Sequence, residues 1–366
     1  MDNNLTIETR NEGEWIVVAT NGRIDALNSA QLSDALVKAV KENPKLIIDF
    51  KETGYISSSG LRALLAAKKE AGNDGEIIIR NVNSVIEDVF ELTGFDDLFT
   101  IIMNDNEKPD IKVVFFDIDG TLLSQRTGAV PESTKESIRK LQEKGIECVI
   151  ATGRDMNEIR KLPVMDIPFD AYLTLNGNIC LDKDEKMFAG NEIDPGEVEI
   201  LVQIFKAGKI PFVLIGAEKR YINYVDDTVI KTQLSTNGTI PDIGEYNGEK
   251  IYQCLAFVDG DIRNKLENML DKCRITSWNE TGLDIIAQTG GKDAGIHKYL
   301  EYKDLNRSQT MAFGDGENDR SMLRCVGIGV AMGNGKEDLK KEATYVTADI
   351  DDDGIMKALQ HYDLID

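Results

Sequence analysis

Asp117 and Asp119 follow an apolar run in VVFFDIDGTLL, with one residue between them. If Val113 to Phe116 form a strand, its period-two geometry sends both carboxylates off the strand end on the same side. A second apolar run, in TMAFGDGENDRSML, delivers Asp315 and Asp319 with Asn318 between them. Four acids converging at one sheet edge repel one another unless a cation sits among them. An all-oxygen donor set favours Mg²⁺ over zinc or copper. A third run, VIATGRD, ends in Thr152, Gly153 and Arg154, which offer a hydroxyl, a backbone amide and a guanidinium to phosphoryl oxygens. In GGKDAGIHKYL, Lys292 stands at a predicted helix start, where the macrodipole disfavours a cation, so an anion is expected opposite it. Each piece alone has a plain reading: a DxDGT turn can simply cap the next helix, and a lone lysine is usually surface. Four segments in order, each at a strand end or helix start, are together far more specific than any one of them. Asn176 and Gly177, at the edge of the next predicted strand, are placed to touch a substrate, although polar turn residues are expected there anyway.

The elements that must hold these residues alternate. Strands at Val113 to Phe116, Glu147 to Ala151 and Ala171 to Leu175, with a helix near Glu132 to Glu143, predict an α/β layer with a parallel sheet, whose ligands gather at the C-terminal strand ends. From residue 181 to residue 287 the rhythm changes to strands flanking two helices, around Pro195 to Lys206 and Asp261 to Lys272, and reads as an inserted α/β subdomain. Its aromatic residues Phe188, Phe212, Tyr221 and Tyr224 are open to two readings, substrate selection or core packing. The polar segment NDNEKPDIK, carrying Pro109, marks a linker at residues 105–110.

Before that linker, β-like runs at Trp15 to Ala19, Lys45 to Phe50 and Glu76 to Ile79 alternate with helical patterns, including a stripe of Leu32, Ala35, Leu36, Ala39 and Val40. This predicts a small α/β layer at residues 1–104. In LIIDFKETGYISSSGLRALL, Ser57, Ser58 and Ser59 fall on the first turn of a predicted helix. Serine there caps orphan amides well. A phosphoserine in the same place would gain from the dipole and from free amides while adding charge to the surface.

The whole chain has 366 residues, 42% hydrophobic and 29% charged, enough for two or three units each with its own core. A net charge of -22 argues against nucleic acid or an anionic membrane surface as partner. The first twenty residues lack an export signal and no apolar stretch has bilayer-crossing length. Five scattered cysteines and two histidines predict reduced thiols in the cytoplasm and no histidine-based zinc site. DIDDDG at Asp349 to Gly354 begins like a calcium loop, but its twelfth position is Gln360 rather than a bidentate Glu, so a solvated loop is expected.

Residues 111–366 resemble the haloacid dehalogenase-like phosphatases of the Cof type, on the order of the four motifs above and on the tail IGVAMGNGKEDLKKEATYVT. The resemblance implies a Rossmann-like catalytic core at 111–180 and 288–366 with an inserted α/β cap at 181–287. It implies Asp117 as nucleophile, Asp119 as general acid then base, and Thr152 and Lys292 holding the transferring phosphoryl group. Mg²⁺ would be bound by Asp117, the backbone carbonyl of Asp119, and Asp315, with Asn318 and Asp319 orienting that shell. Gly153, Arg154, Asn176 and Gly177 would serve the substrate, a small phosphorylated molecule. Residues 1–104 resemble a STAS domain of the anti-sigma-factor antagonist type through GRIDALNSAQL, LIIDF, ISSSGLRALL and VIEDVFELTGFDDLF. That resemblance implies phosphorylation at Ser58, with Ser57 at a position often occupied by Asp, and a protein partner such as an anti-sigma factor or kinase-like protein. Three functions remain distinct: a metabolite phosphatase regulated or tethered by the first module, a phosphomutase-type phosphotransferase, and a signalling protein that uses the large domain as a scaffold.

Overall fold

The structure is a computed structural model in which residues 5–72, 75–95, 98–103, 110–235, 238–258, 261–277 and 281–366 are described. The chain divides into two compact units, residues 1–110 and 111–366. Residues 104–109, most of the expected linker, lie outside the described set.

In the first unit a five-stranded sheet runs in the order β1 (Thr6–Glu12), β2 (Trp15–Ile24), β3 (Lys45–Ile56), β4 (Glu76–Val82), β5 (Thr100–Met103). All neighbours are parallel except β1 and β2. Leu46, Ile48 and Phe50 alternate onto one face of β3, where they join Leu32, Leu36, Ala39 and Val40 of the helix Ser29–Glu42 in a single buried cluster. The helix Ser58–Ala71 leaves the end of β3, and Leu61, Ala63, Leu64 and Ala67 feed the same core.

In the second unit an eight-stranded sheet has the order β10-β9-β8-β7-β6-β16-β17-β18. Its strands are β6 (Val113–Phe116), β7 (Glu147–Ala151), β8 (Ala171–Thr174), β9 (Ile179–Asp182), β10 (Met187–Gly190), β16 (Thr310–Gly314), β17 (Ile328–Ala331) and β18 (Tyr345–Val346). Six strands from β8 to β18 are mutually parallel, and β9 and β10 extend one edge as antiparallel neighbours. The expected all-parallel sheet thus acquires a hairpin at one margin. By hydrogen bonding, the inserted layer begins after Gly190 rather than at residue 181, because Leu181 and Met187 pair within this sheet. The insertion carries its own antiparallel sheet in the order β12-β11-β13-β15-β14, made of β11 (Phe212–Ile215), β12 (Arg220–Ile222), β13 (Gln253–Phe257), β14 (Cys273–Ser277) and β15 (Gly282–Ala287). It has a third helix, Asp227–Ser235, besides those at Pro195–Ala207 and Asp261–Glu267, the last ending five residues before the expected Lys272. Among the described residues no helix is long and apolar enough to cross a membrane, and all five cysteines are free thiols.

Candidate active site

Four adjacent strands, β8, β7, β6 and β16, are buried except for the half-buried Glu147 at the start of β7, and each delivers a polar residue at its C-terminal edge. Asp117 is the first residue past β6, and its backbone N–H still donates to the carbonyl of Phe313 at 3.0 Å. Asp315 is the first residue past β16. Thr152 follows β7, its amide bonded to the Leu173 carbonyl at 2.9 Å, and Asn176 follows β8 with its amide on the Thr152 carbonyl at 2.8 Å. The turn after Asp117 is tight enough that a Cβ on Gly120, at φ 87°, would lie 2.3 Å from Asp315 Oδ2.

These placements bring one oxygen from each of Asp117, Asp315 and Asp319 within 4.8 Å of the others. Lys292, at the start of the helix Lys292–Lys303, is fully buried and donates to Asp117 Oδ1 and to Asp319 Oδ1, both at 2.5 Å. The anion expected opposite a lysine at a helix N-terminus is therefore a pair of carboxylates. The other oxygen of Asp319 accepts from the amides of Asp315 and Gly316, at 2.9 and 2.8 Å. Burial, and then the Asp319 charge, push the Asp117 carboxyl well above the ordinary carboxylate range. Burial and then Asp117 do the same to Asp315, against a stabilising bond from the Thr121 hydroxyl at 3.2 Å. Lys292 is held protonated by Asp117 and Asp319, which outweigh its burial.

Asp119 stands apart from this cluster, with 37% of its side chain exposed. Arg154 grips it with two bonds, Nε to Oδ2 at 2.6 Å and Nη2 to Oδ1 at 2.7 Å. The guanidinium expected to await phosphoryl oxygens thus rests on a carboxylate. The Arg154 amide donates to Thr152 Oγ1 at 3.2 Å.

A cavity of about 510 Å³ opens over these strand ends and under the inserted sheet. Asp117, Asp119, Thr152, Gly153, Arg154, Asp315, Asn318 and Asp319 line it, together with Asp155, Glu158, Gln253, Leu255 and Asp284. Asn176 and Gly177 are not among the lining residues. Asn176 is buried behind them, accepting from Asn318 Nδ2 at 3.0 Å and donating to Gln253 Oε1 at 3.1 Å and Asp284 Oδ2 at 2.8 Å. Gly177, at φ 79°, packs its backbone against the Lys292 helix: a Cβ there would lie 2.5 Å from the Gly291 carbonyl. Its lack of a side chain lets that helix start approach closely. Phe188 of β10 and the three aromatic residues of the insertion also lie off the cavity lining. Phe212 and Tyr221 are in the core of the insertion, Tyr224 is half-buried, and Phe188 stacks on Tyr302 with centroids 4.5 Å apart.

Gln253 and Asp284 went unread in the sequence, although each is a polar residue within an apolar run, IYQCLAF and GLDIIA, and both are at least 96% buried. Arg220 of β12 was missed for want of a motif; it meets Asp155 and Glu158 at 2.9 Å each. Asp349 Oδ1 takes the Asp351 amide, and Asp351 pairs with Arg126, which makes DIDDDG a self-capped turn. In the first unit the Ser57 hydroxyl accepts from the Gly60 amide at 3.3 Å, whereas Ser58 is exposed with no side-chain hydrogen bond among the described residues.

Residues 114–359 match the family model for haloacid dehalogenase-like hydrolases and residues 6–108 match that for STAS domains. Among curated proteins, 5-amino-6-(5-phospho-D-ribitylamino)uracil phosphatase YcsE of Bacillus subtilis is 28% identical over 261 residues, 70% of this chain and 97% of the relative. Among solved structures, BT1666 from Bacteroides thetaiotaomicron superposes with TM-score 0.65 at 28% identity, covering 71% of this chain and 98% of that one. The subclass IIB sugar phosphatase BT4131 gives TM-score 0.64 at 32% identity, over 69% and 100%. The chain belongs to the haloacid dehalogenase-like hydrolases, as a phosphatase of the Cof type that carries a STAS domain ahead of its catalytic unit.

Proposed function

We propose that the chain is a magnesium-dependent phosphatase that hydrolyses a small phosphorylated metabolite, a sugar or cofactor phosphate, through an aspartyl-phosphate on Asp117. The observation that carries this reading is that Asp117, Asp315 and Asp319 line a cavity sized for a metabolite, with the buried Lys292 ammonium, itself off the lining, shared by Asp117 and Asp319 behind them. The names of YcsE and BT4131, a phosphatase of a ribitylaminouracil phosphate and a sugar phosphatase, support a small substrate.

The donor set fits Mg²⁺. Three carboxylates with only oxygen to offer crowd together, burial and then the neighbouring charges raise the proton affinity of Asp117 and Asp315, and a hard divalent cation removes that conflict. Asp117, Asp315 and the Asp119 carbonyl would hold it, while Asp319, engaged by two amides and Lys292, orients the shell alongside Asn318. When bound, the ion neutralises charge on the phosphoryl oxygens. A free Asp117 oxygen attacks phosphorus as the bond to the leaving oxygen breaks, and Asp119 gives that oxygen its proton. Asp119 then takes a proton from water, which attacks the aspartyl-phosphate, releasing phosphate and restoring Asp117. Lys292 and Thr152 hold the phosphoryl group in both halves. In the resting state Asp119 has both oxygens on Arg154, so one of these bonds opens before it can serve as an acid; phosphoryl oxygens arriving at the guanidinium compete for it.

The test is release of inorganic phosphate from p-nitrophenyl phosphate with MgCl2 present, with one phosphoryl group trapped on Asp117 and both signals absent in Asp117→Asn. Hydrolysis that survives this substitution would sink the reading. An isomerised phosphosugar in place of free phosphate would favour a phosphomutase.

For the first unit we infer phosphorylation at Ser58 and binding of a protein partner, supported by the exposed hydroxyl at the helix start beside a serine already occupied as the cap. Mass spectrometry of the chain isolated from its own cells should find phosphate on Ser58; a modified Ser57 with unmodified Ser58 would count against it. The free thiols accord with a cytoplasmic setting.

A further inference from the structure

Asp284 lies in the middle of β15, in the run GLDIIA whose residues are all buried, and it lines the cavity. A buried carboxylate is ordinarily paired with a cation, yet among the described residues no lysine or arginine forms an ion pair with Asp284. Two amides reach it instead: Asn176 Nδ2 on Oδ2 at 2.8 Å and Gln253 Nε2 on Oδ1 at 3.1 Å. Gln253 is itself fixed, donating also to the Gly153 carbonyl at 3.3 Å and accepting from Asn176. Each carboxylate oxygen therefore keeps one acceptor position beyond those the protein fills. Burial pushes this carboxyl up to about 7, as expected of an acid waiting for a donor. The rest of the cavity wall on the inserted domain is aliphatic or amide: Ile215, Leu234, Leu255, Gln233 and Gln253, without a cation among its described residues.

We propose that Asp284 determines substrate specificity by accepting hydrogen bonds from hydroxyl or ammonium groups of the leaving group, so that the substrates are phosphomonoesters of neutral or aminated polyhydroxy alcohols and not esters bearing a second anion. This rests on the phosphatase reading above. Asn176 and Gln253 are positioning residues that present the carboxylate, and the aliphatic residues cover the carbon skeleton. A donor lost from the leaving group leaves Asp284 buried and underused, and a second anion reaching this wall would meet the carboxylate, because the cations of the lining, Arg154 and Lys336, stand on the core side of the cavity.

The experiment compares kcat/KM of the full-length protein for sorbitol 6-phosphate, glucosamine 6-phosphate, 6-phosphogluconate and p-nitrophenyl phosphate, in wild type and in Asp284→Asn. The wild type should prefer at least one of the first two over both of the others, the two distinguishing hydroxyl from ammonium recognition. In Asp284→Asn the ratio of the preferred ester to p-nitrophenyl phosphate should fall about tenfold or more, the size of a lost charged hydrogen bond. The ratio of 6-phosphogluconate to the preferred ester should rise. Equal losses on all esters, or an unchanged ratio, overturn the proposal. If the variant does not fold, the wild-type panel decides alone: turnover of p-nitrophenyl phosphate or 6-phosphogluconate with no preference for donor-bearing esters refutes the role of Asp284 and leaves the phosphatase reading standing. No turnover of any ester with magnesium present refutes that reading itself.

Discussion

Lys292 concentrates most of the electrostatics of the site in one side chain. It is buried, it stands where a helix dipole opposes it, and it is held there by two carboxylates. Lys292→Met keeps the volume and deletes the charge, leaving Asp117 and Asp319 without their shared cation. The expected outcome is a fall in kcat of about a hundredfold or more, with a loss of stability of about 3 kcal/mol from the broken buried pair, read by turnover and by denaturant midpoint. Normal turnover in that variant would show that Lys292 is structural only. Asp284 makes a second residue-scale prediction, through proton linkage. Its folded-state affinity is raised to about 7, above the unfolded carboxylate, so the native state holds a proton the unfolded chain releases. That contribution is complete at low pH and disappears as pH rises through 7, at up to about 1.4 kcal/mol per pH unit. Asp284→Asn cannot titrate, so its unfolding midpoint should gain on that of wild type between pH 5 and pH 8; a constant gap would mean Asp284 is ionised throughout.

At the scale of elements, the helix starts differ in how they are closed, and this separates serines that look alike in sequence. Ser57 accepts the Gly60 amide and caps the helix Ser58–Ala71; Ser58 caps nothing. Ser57→Ala should therefore cost about 1 kcal/mol in the unfolding of the first unit, and Ser58→Ala less than about 0.5 kcal/mol, by thermal or urea melting. Equal effects would deny the division of labour. Strands whose side chains are buried on both faces, such as β6 and β7, were legible as apolar runs, and the helix Glu132–Glu143 was legible from its periodicity. β1 was not, because TIETRNE is an edge strand exposed along nearly its whole length and carries no apolar alternation. The β9 to β10 hairpin was hidden for a related reason: the pairing that draws it into the core sheet is made by backbone, and Met187–Gly190 is only partly buried. Motif residues of the site were legible because strand ends fix them locally. Arg154 on Asp119, and Gln253 with Asp284 behind Asn176, were not, because each depends on contacts between segments 31 to 108 positions apart.

At the scale of the whole chain, every residue of the proposed catalytic site and every wall of its cavity belongs to residues 111–366, and that unit packs its own clusters around both of its sheets. The first unit closes a separate core of its own. Two cores that share no residue have no packing reason to melt together, so calorimetry of the intact protein should resolve two transitions. By the same reasoning a fragment of residues 111–366 should fold and retain the kcat/KM of the full chain for p-nitrophenyl phosphate. If it does, any influence of the STAS domain is regulatory, and comparison of Ser58→Asp with Ser58→Ala in the intact protein will measure it as a change in turnover. A fragment that folds yet loses activity would instead mean that the STAS domain helps assemble the site, an outcome that the independent cores argue against.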